Sequence, residues 1–77
     1  MKIYGYSLGE DGDDGLLSLR EVSFLATSEE LMELSAFFAK CAHEIRHQPG
    51  WDHAHLNDFL VRDCEVDSDV IVAAQPG

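Results

Sequence analysis

The sequence predicts an α+β domain of two layers, one helix packed on a mainly antiparallel four-stranded sheet in the order β-β-α-β-β. Three features lead to that expectation: two strand-period segments around a short acidic turn, a capped amphipathic helix in the middle, and a β-branched run near the end. At 77 residues the chain makes a single domain, residues 1–77. A domain this short buries only roughly 60% of the surface its unfolded form exposes, which leaves room for two thin layers.

Over residues 3–8, Tyr4, Tyr6 and Leu8 alternate with Ile3, Gly5 and Ser7, the period of a strand. Residues 9–15 carry three glycines and four carboxylates and no apolar residue, so they read as a turn. Over residues 16–26, Val22, Phe24 and Ala26 alternate against Glu21, Ser23 and Leu25, and the short loop makes the pair an antiparallel hairpin. Thr27-Ser28-Glu29-Glu30 is a helix start in which Thr27 caps the backbone and Glu30 reaches back, with Ala26 and Leu31 placed as a hydrophobic staple. Leu31, Leu34, Phe38, Cys41, Ala42 and Ile45 then recur at helical spacing as one apolar stripe. Pro49-Gly50 ends the helix, behind Arg46 and His47 at the negative end of its dipole. Residues 54–60 read as a strand, and residues 70–74 as a well-buried strand behind the polar turn Asp67-Ser68-Asp69.

Charge narrows the function. Lys and Arg number 5 against 15 Asp and Glu, for a net charge of −10. Such a balance repels phosphate backbones and anionic lipid, so neither nucleic acid nor membrane is an expected partner, and it steers basic partners inward. No signal-peptide run or apolar stretch of the ~20 residues a membrane span needs is present, which points to the cytoplasm. Cys41 and Cys64 are too few for a disulfide framework and read as reduced thiols.

Residues 43–53 read His43-Glu44-Ile45-Arg46-His47-Gln48-Pro49-Gly50-Trp51-Asp52-His53, which satisfies His-Glu-x-x-His and its extended metzincin form. In that chemistry His43 and His47, one turn apart, share a Zn²⁺ with His53, and Glu44 polarises the metal-bound water. Three features weigh against it. The apolar stripe centred on Phe38 and Ile45 puts His43 and His47 on nearly the opposite helix face, toward water and away from any wall of a cleft. Only 24 residues follow His53, and both methionines, Met1 and Met32, precede the motif, so no Met-turn follows it. The expectation is therefore a non-enzyme without a cofactor, with a zinc-binding protein or minimal metallohydrolase using His43, His47 and His53 as the alternative.

Other constellations are weaker. The acidic turn lacks a third acidic calcium ligand at Gly15 and a bidentate Glu at Val22. Cys41 lies on the apolar stripe and reads as packing, and Cys64 sits among Asp63, Glu65 and Asp67, which disfavour a thiolate. His53, His55 and Asn57 share a strand face near Trp51 and Asp52, half a structural cover and half a binding patch. The candidate partner-binding residues are Asp11, Asp13 and Asp14 of the acidic turn, Trp51, His53, His55 and Asp58, and the carboxylates Glu65 and Asp67, with Glu10, Asp63 and Asp69 nearby. A homodimer through sheet edges, or through a helix face with Met32 and Ala36, is a further possibility.

The opening Met1-Lys2-Ile3-Tyr4-Gly5-Tyr6, the helix start at Thr27 to Leu31, His53-x-His55-Leu56-x-Asp58-Phe59 and the closing Asp69-Val70-Ile71-Val72-Ala73 together resemble the immunity protein 32 family. The likeness spans nearly the whole chain through short motifs. It implies a cytoplasmic bacterial antidote in a polymorphic toxin system, binding and neutralising a cognate toxin domain. The His-x-His pair belongs to the family pattern and the full zinc motif does not. A basic nuclease-type toxin fits the charge, since a small acidic protein can occupy a phosphate-binding site by stoichiometric occlusion.

Overall fold

The structure, a computed structural model, describes residues 1–11, 16–60 and 69–75. Its elements are β1 (Lys2–Asp11), β2 (Leu17–Leu25), α1 (Ser28–His47), β3 (His53–His55), α2 (Leu56–Phe59) and β4 (Ile71–Ala73). The α+β character is as expected. The four-stranded sheet is not: among the described residues β1 pairs only with β2 and β3 only with β4, in two separate antiparallel sheets.

In the β1–β2 hairpin, Ile3 faces Phe24, Tyr4 faces Ser23, Gly5 faces Val22 and Tyr6 faces Glu21. The register then slips so that Ser7 faces Leu19, leaving Arg20 as the extra residue of a bulge. Ile3, Phe24, Val22 and Leu19 therefore share one face, and Tyr4, Tyr6, Glu21 and Leu25 the other. Leu19 lies directly over Gly5, where a Cβ would stand 2.8 Å from its Cδ1, so the glycine gives this leucine its place.

Helix α1 begins as its sequence dictates. Thr27 Oγ1 accepts from the Glu30 N–H at 3.2 Å, while Glu30 Oε1 accepts from the Thr27 N–H at 2.8 Å, a complete capping box. The Met1 ammonium adds an ion pair to Glu30 Oε2 at 2.6 Å. That ammonium above all, with the Thr27 backbone and hydroxyl bonds, lowers the Glu30 carboxyl from 4.5 to about 2. At the other end Gln48 caps onto the Glu44 carbonyl, and Gly50 takes the left-handed φ of 86° that turns the chain back.

The core consists of Leu34, Phe37, Cys41 and Leu56, with Met1, Trp51, Ala54, Phe59, Leu60, Val70 and Val72 packed around them. This shifts the buried helix stripe from its expected place. Phe37 is 1% exposed whereas Phe38 is 42%, and Leu31 and Ile45 are exposed as well. The physical cause is the partner: α1 packs on the β3–α2–β4 segment, which meets the 34/37/41 face, and among the described residues the 31/38/45 face has no such cover. Residues 54–60 also depart from the expected single strand. The strand stops at His55 and Leu56–Phe59 form one helical turn, which sinks Leu56 to 1% exposure, a depth the neighbouring strand positions do not reach. Strand β4 is less buried than its β-branched sequence suggests: with one strand beside it and core on one side, only Val72 turns inward while Ile71 and Ala73 are exposed.

Candidate functional site

Where α1 faces the β3–α2 segment, an open cavity of about 370 Å³ is lined by Phe37, Lys40, Cys41 and Glu44 from the helix and by Trp51, His53, His55, Asp58 and Phe59 from the segment opposite. The helix contribution falls at spacings of three, one and three residues, a single face of about two turns. The opposite wall is set by the β3–β4 register, in which His53 faces Ala73, Ala54 faces Val72 and His55 faces Ile71. Ala54 and Val72 pack on the core, and His53, Ala54 and His55 all border the cavity. The two histidine ring centroids are 5.1 Å apart, nearly edge to face.

Carboxylates orient both imidazoles. His53 Nδ1 meets Asp52, and His55 Nδ1 lies 2.7 Å from Asp69 Oδ2. Asp69 Oδ1 accepts the Asn57 N–H at 3.0 Å, so this one side chain ties β3, α2 and the start of β4 together. Partial burial raises the Asp69 carboxyl, but the Asn57 N–H, His55 and the Val70 backbone outweigh it and hold the group below 3.8. A cation already samples the cavity: Lys40 Nζ stands 5.6 Å from the Phe59 ring centroid and 3.9 Å from the Glu44 carboxylate.

Of the partner-binding residues expected from sequence, Trp51, His53, His55 and Asp58 converge on this cavity. Asp11 ends β1, on a different element, and Asp13, Asp14, Glu65 and Asp67 lie outside the described residues. Phe37, Lys40, Cys41 and Phe59 are additional members. Lys40 and Glu44 are one turn apart with Cys41 between them, so helical spacing alone could have grouped them once the buried face was known. Asp69 stands 14 residues from His55 and no local pattern joins them.

The metal alternative divides. His43 and His47 are exposed neighbours with ring centroids 4.4 Å apart, whereas Glu44 points into the cavity beside Lys40. Among the described residues no three His, Cys, Asp or Glu side chains are grouped to hold a metal ion. Cys41 is no activated nucleophile: burial first, and the Glu44 charge second, push its thiol up against the smaller opposing pull of Lys40. The arrangement is suited to binding, with an aromatic floor under an acidic and imidazole rim. No family model, curated protein or solved structure matches the chain. Among the described residues no helix is long and apolar enough to cross a membrane.

Proposed function

We propose that this chain is a non-enzymatic binding protein of the immunity type, acting in the bacterial cytoplasm to neutralise a cognate toxin domain by stoichiometric occlusion. The observation that carries the reading is the aromatic-floored, acid-rimmed cavity at Trp51, His55, Asp58 and Glu44, in a chain of net charge −10. A lysine or arginine of a basic, nuclease-type partner fits there. The ring faces attract its charge, the carboxylates accept its N–H groups, and the overall field speeds its approach. In this role Lys40 is the placeholder that the incoming cation displaces. The test is titration of the purified chain with the toxin domain encoded beside it, together with protection of cells on co-expression. Binding that weakens with salt mainly through the association rate, and falls by about tenfold or more in Glu44→Gln/Asp58→Asn, supports the reading. No binding and no protection overturn it.

The zinc reading has one observation in its favour, the close approach of His43 and His47. A two-imidazole site on an exposed helix face makes weak, dialysable zinc binding the expected result, lost in His47→Ala. Stoichiometric zinc surviving dialysis, with peptidase activity lost in Glu44→Ala, would reverse the order of the two readings.

A further inference from the structure

We propose that the β1–β2 hairpin is a self-association surface, its tyrosine face packing on the same face of a second copy of this chain about a two-fold axis. This stands apart from the binding of a basic partner and uses a different part of the molecule.

Most of the apolar residues of the hairpin lie in water. Tyr4, Tyr6, Leu8, Leu16, Leu17, Leu19, Val22, Phe24 and Leu25 are between 38% and 72% exposed, and Met1 alone of the hairpin segment packs on the core. A two-stranded hairpin without further strands or a covered face is marginal in water, yet this one runs 10 residues against 9. The fractional exposures amount to on the order of 1,000 Å² of apolar surface over both faces, beyond the roughly 300–600 Å² patch of an ordinary monomer.

The two faces are not equivalent. On one, Leu19 folds over Gly5 and fills part of the surface itself. On the other, Tyr4, Tyr6, Leu8 and Leu25 are all more than half exposed, and the Arg20 guanidinium lies over the Tyr6 ring, 5.4 Å from its centroid. These four side chains offer about half the apolar total. With Lys2, Arg20, Glu21 and Ser23 around them, the face reaches the roughly 800 Å² per partner of a standard interface. Tyrosine and arginine are also the residues such interfaces favour.

Charge selects the occupant. The chain carries −10, but β1 and β2 carry Lys2 and Arg20 against Glu10, Asp11 and Glu21, a net of −1, and both Glu10 and Asp11 stand at the turn end of β1. A basic partner gains nothing there and is drawn to the acidic cavity. A second copy can dock there with one carboxylate per face, Glu21, offset by Lys2 and Arg20 beside it, and an isologous two-fold contact is the commonest solution for identical chains.

Sedimentation of the intact chain tests this, over a dilution series and at low and high salt. The expected species is twice the 8.6 kDa chain mass, with self-association tightened by salt because screening relieves the −10 repulsion. Tyr6→Glu weakens the dimer by about a hundredfold or more, Tyr6→Ser by about tenfold, and Leu19→Glu by less than about fivefold. Should Tyr6→Glu lose its far-ultraviolet helix signal, Tyr6→Ser carries the comparison. A wild type that stays at 8.6 kDa at about 100 μM, far above the Kd expected of a standard interface, overturns the proposal. So does a dimer more sensitive to Leu19→Glu than to Tyr6→Glu. A monomer that captures the toxin domain sinks this proposal alone, and a dimer that captures none sinks only the binding reading.

Discussion

Adjacent phenylalanines on α1 give a decisive comparison, because the sequence period favours Phe38 for the core and the structure buries Phe37. Phe37 is 1% exposed, lies among Leu34, Cys41 and Leu56, and sets its ring 5.5 Å from that of Phe59. Phe37→Ala removes the largest fully buried side chain among the described residues and leaves a cavity in the core, at a cost of about 3–5 kcal/mol. Phe38 is 42% exposed and encloses no space, so Phe38→Ala loses only part of a transfer free energy, about 1 kcal/mol. For a domain of this size each kcal/mol moves Tm by about 4–8 °C, which predicts a fall of at least about 12 °C for Phe37→Ala. A core this small supplies about 3–5 kcal/mol in all, so Phe37→Ala is largely unfolded at room temperature. The assay is thermal melting by circular dichroism at one fixed protein concentration, since self-association links stability to concentration. If Phe38→Ala costs as much as Phe37→Ala, the helix presents its 31/38/45 face to the core and the placement of the cavity fails with it.

The remaining predictions concern the two ends of α1 and its buried thiol. Because the Glu30 carboxyl is held at about 2, below its ordinary 4.5, its stabilising contribution is complete above about pH 4.5 and drains away as pH falls toward 2. Glu30→Gln therefore lowers stability near neutral pH and flattens this acid limb in urea titrations, and an unchanged limb contradicts the ion pair. Gly50→Ala meets no atom within 4 Å but must hold a φ of 86°, so it costs about 1–2 kcal/mol through backbone strain alone. A chemical denaturation midpoint equal to wild type would refute that. In a Cys64→Ser background, Cys41 should react with a thiol reagent at least about a hundredfold more slowly in the native protein than in denaturant, since burial both shields the thiol and raises its pKa. Equal rates would show the core open.

Local signals in the sequence were legible wherever neighbouring residues suffice to satisfy the backbone. The capping box at Thr27 and Glu30, the stop at Gly50 and the hairpin pairing all follow from contacts within a few residues, and all are present. What was not legible depends on a partner distant in sequence. The helix carries two overlapping apolar stripes, one through Leu34, Phe37 and Cys41 and one through Leu31, Phe38 and Ile45. Periodicity cannot choose between them before the covering layer is known. The same limit hid the partner of Asp69, which charge density marks as a candidate but which only the strand pairing brings to His55. Trp51, His53, His55 and Asp58 were found as a group because they lie within eight residues of one another.

The second apolar stripe and the open hairpin have a common origin. After the hairpin, the described residues close a core with α1, the single turn α2 and a pair of three-residue strands, and among the described residues these cover the 34/37/41 face of α1. In the proposed dimer the hairpin takes its cover from a second copy, and its low net charge is what favours that occupant. Carboxylates near the cavity favour a basic protein there, while the tyrosine face tolerates an identical, equally acidic chain. Salt separates the two events because their electrostatic signs differ: screening weakens an attraction between opposite charges and relieves a repulsion between like ones. A binder organised this way presents two cavities from one dimer, so a partner carrying two basic sites would be held more tightly by the dimer than by the Tyr6→Glu monomer, without any new contact at either cavity.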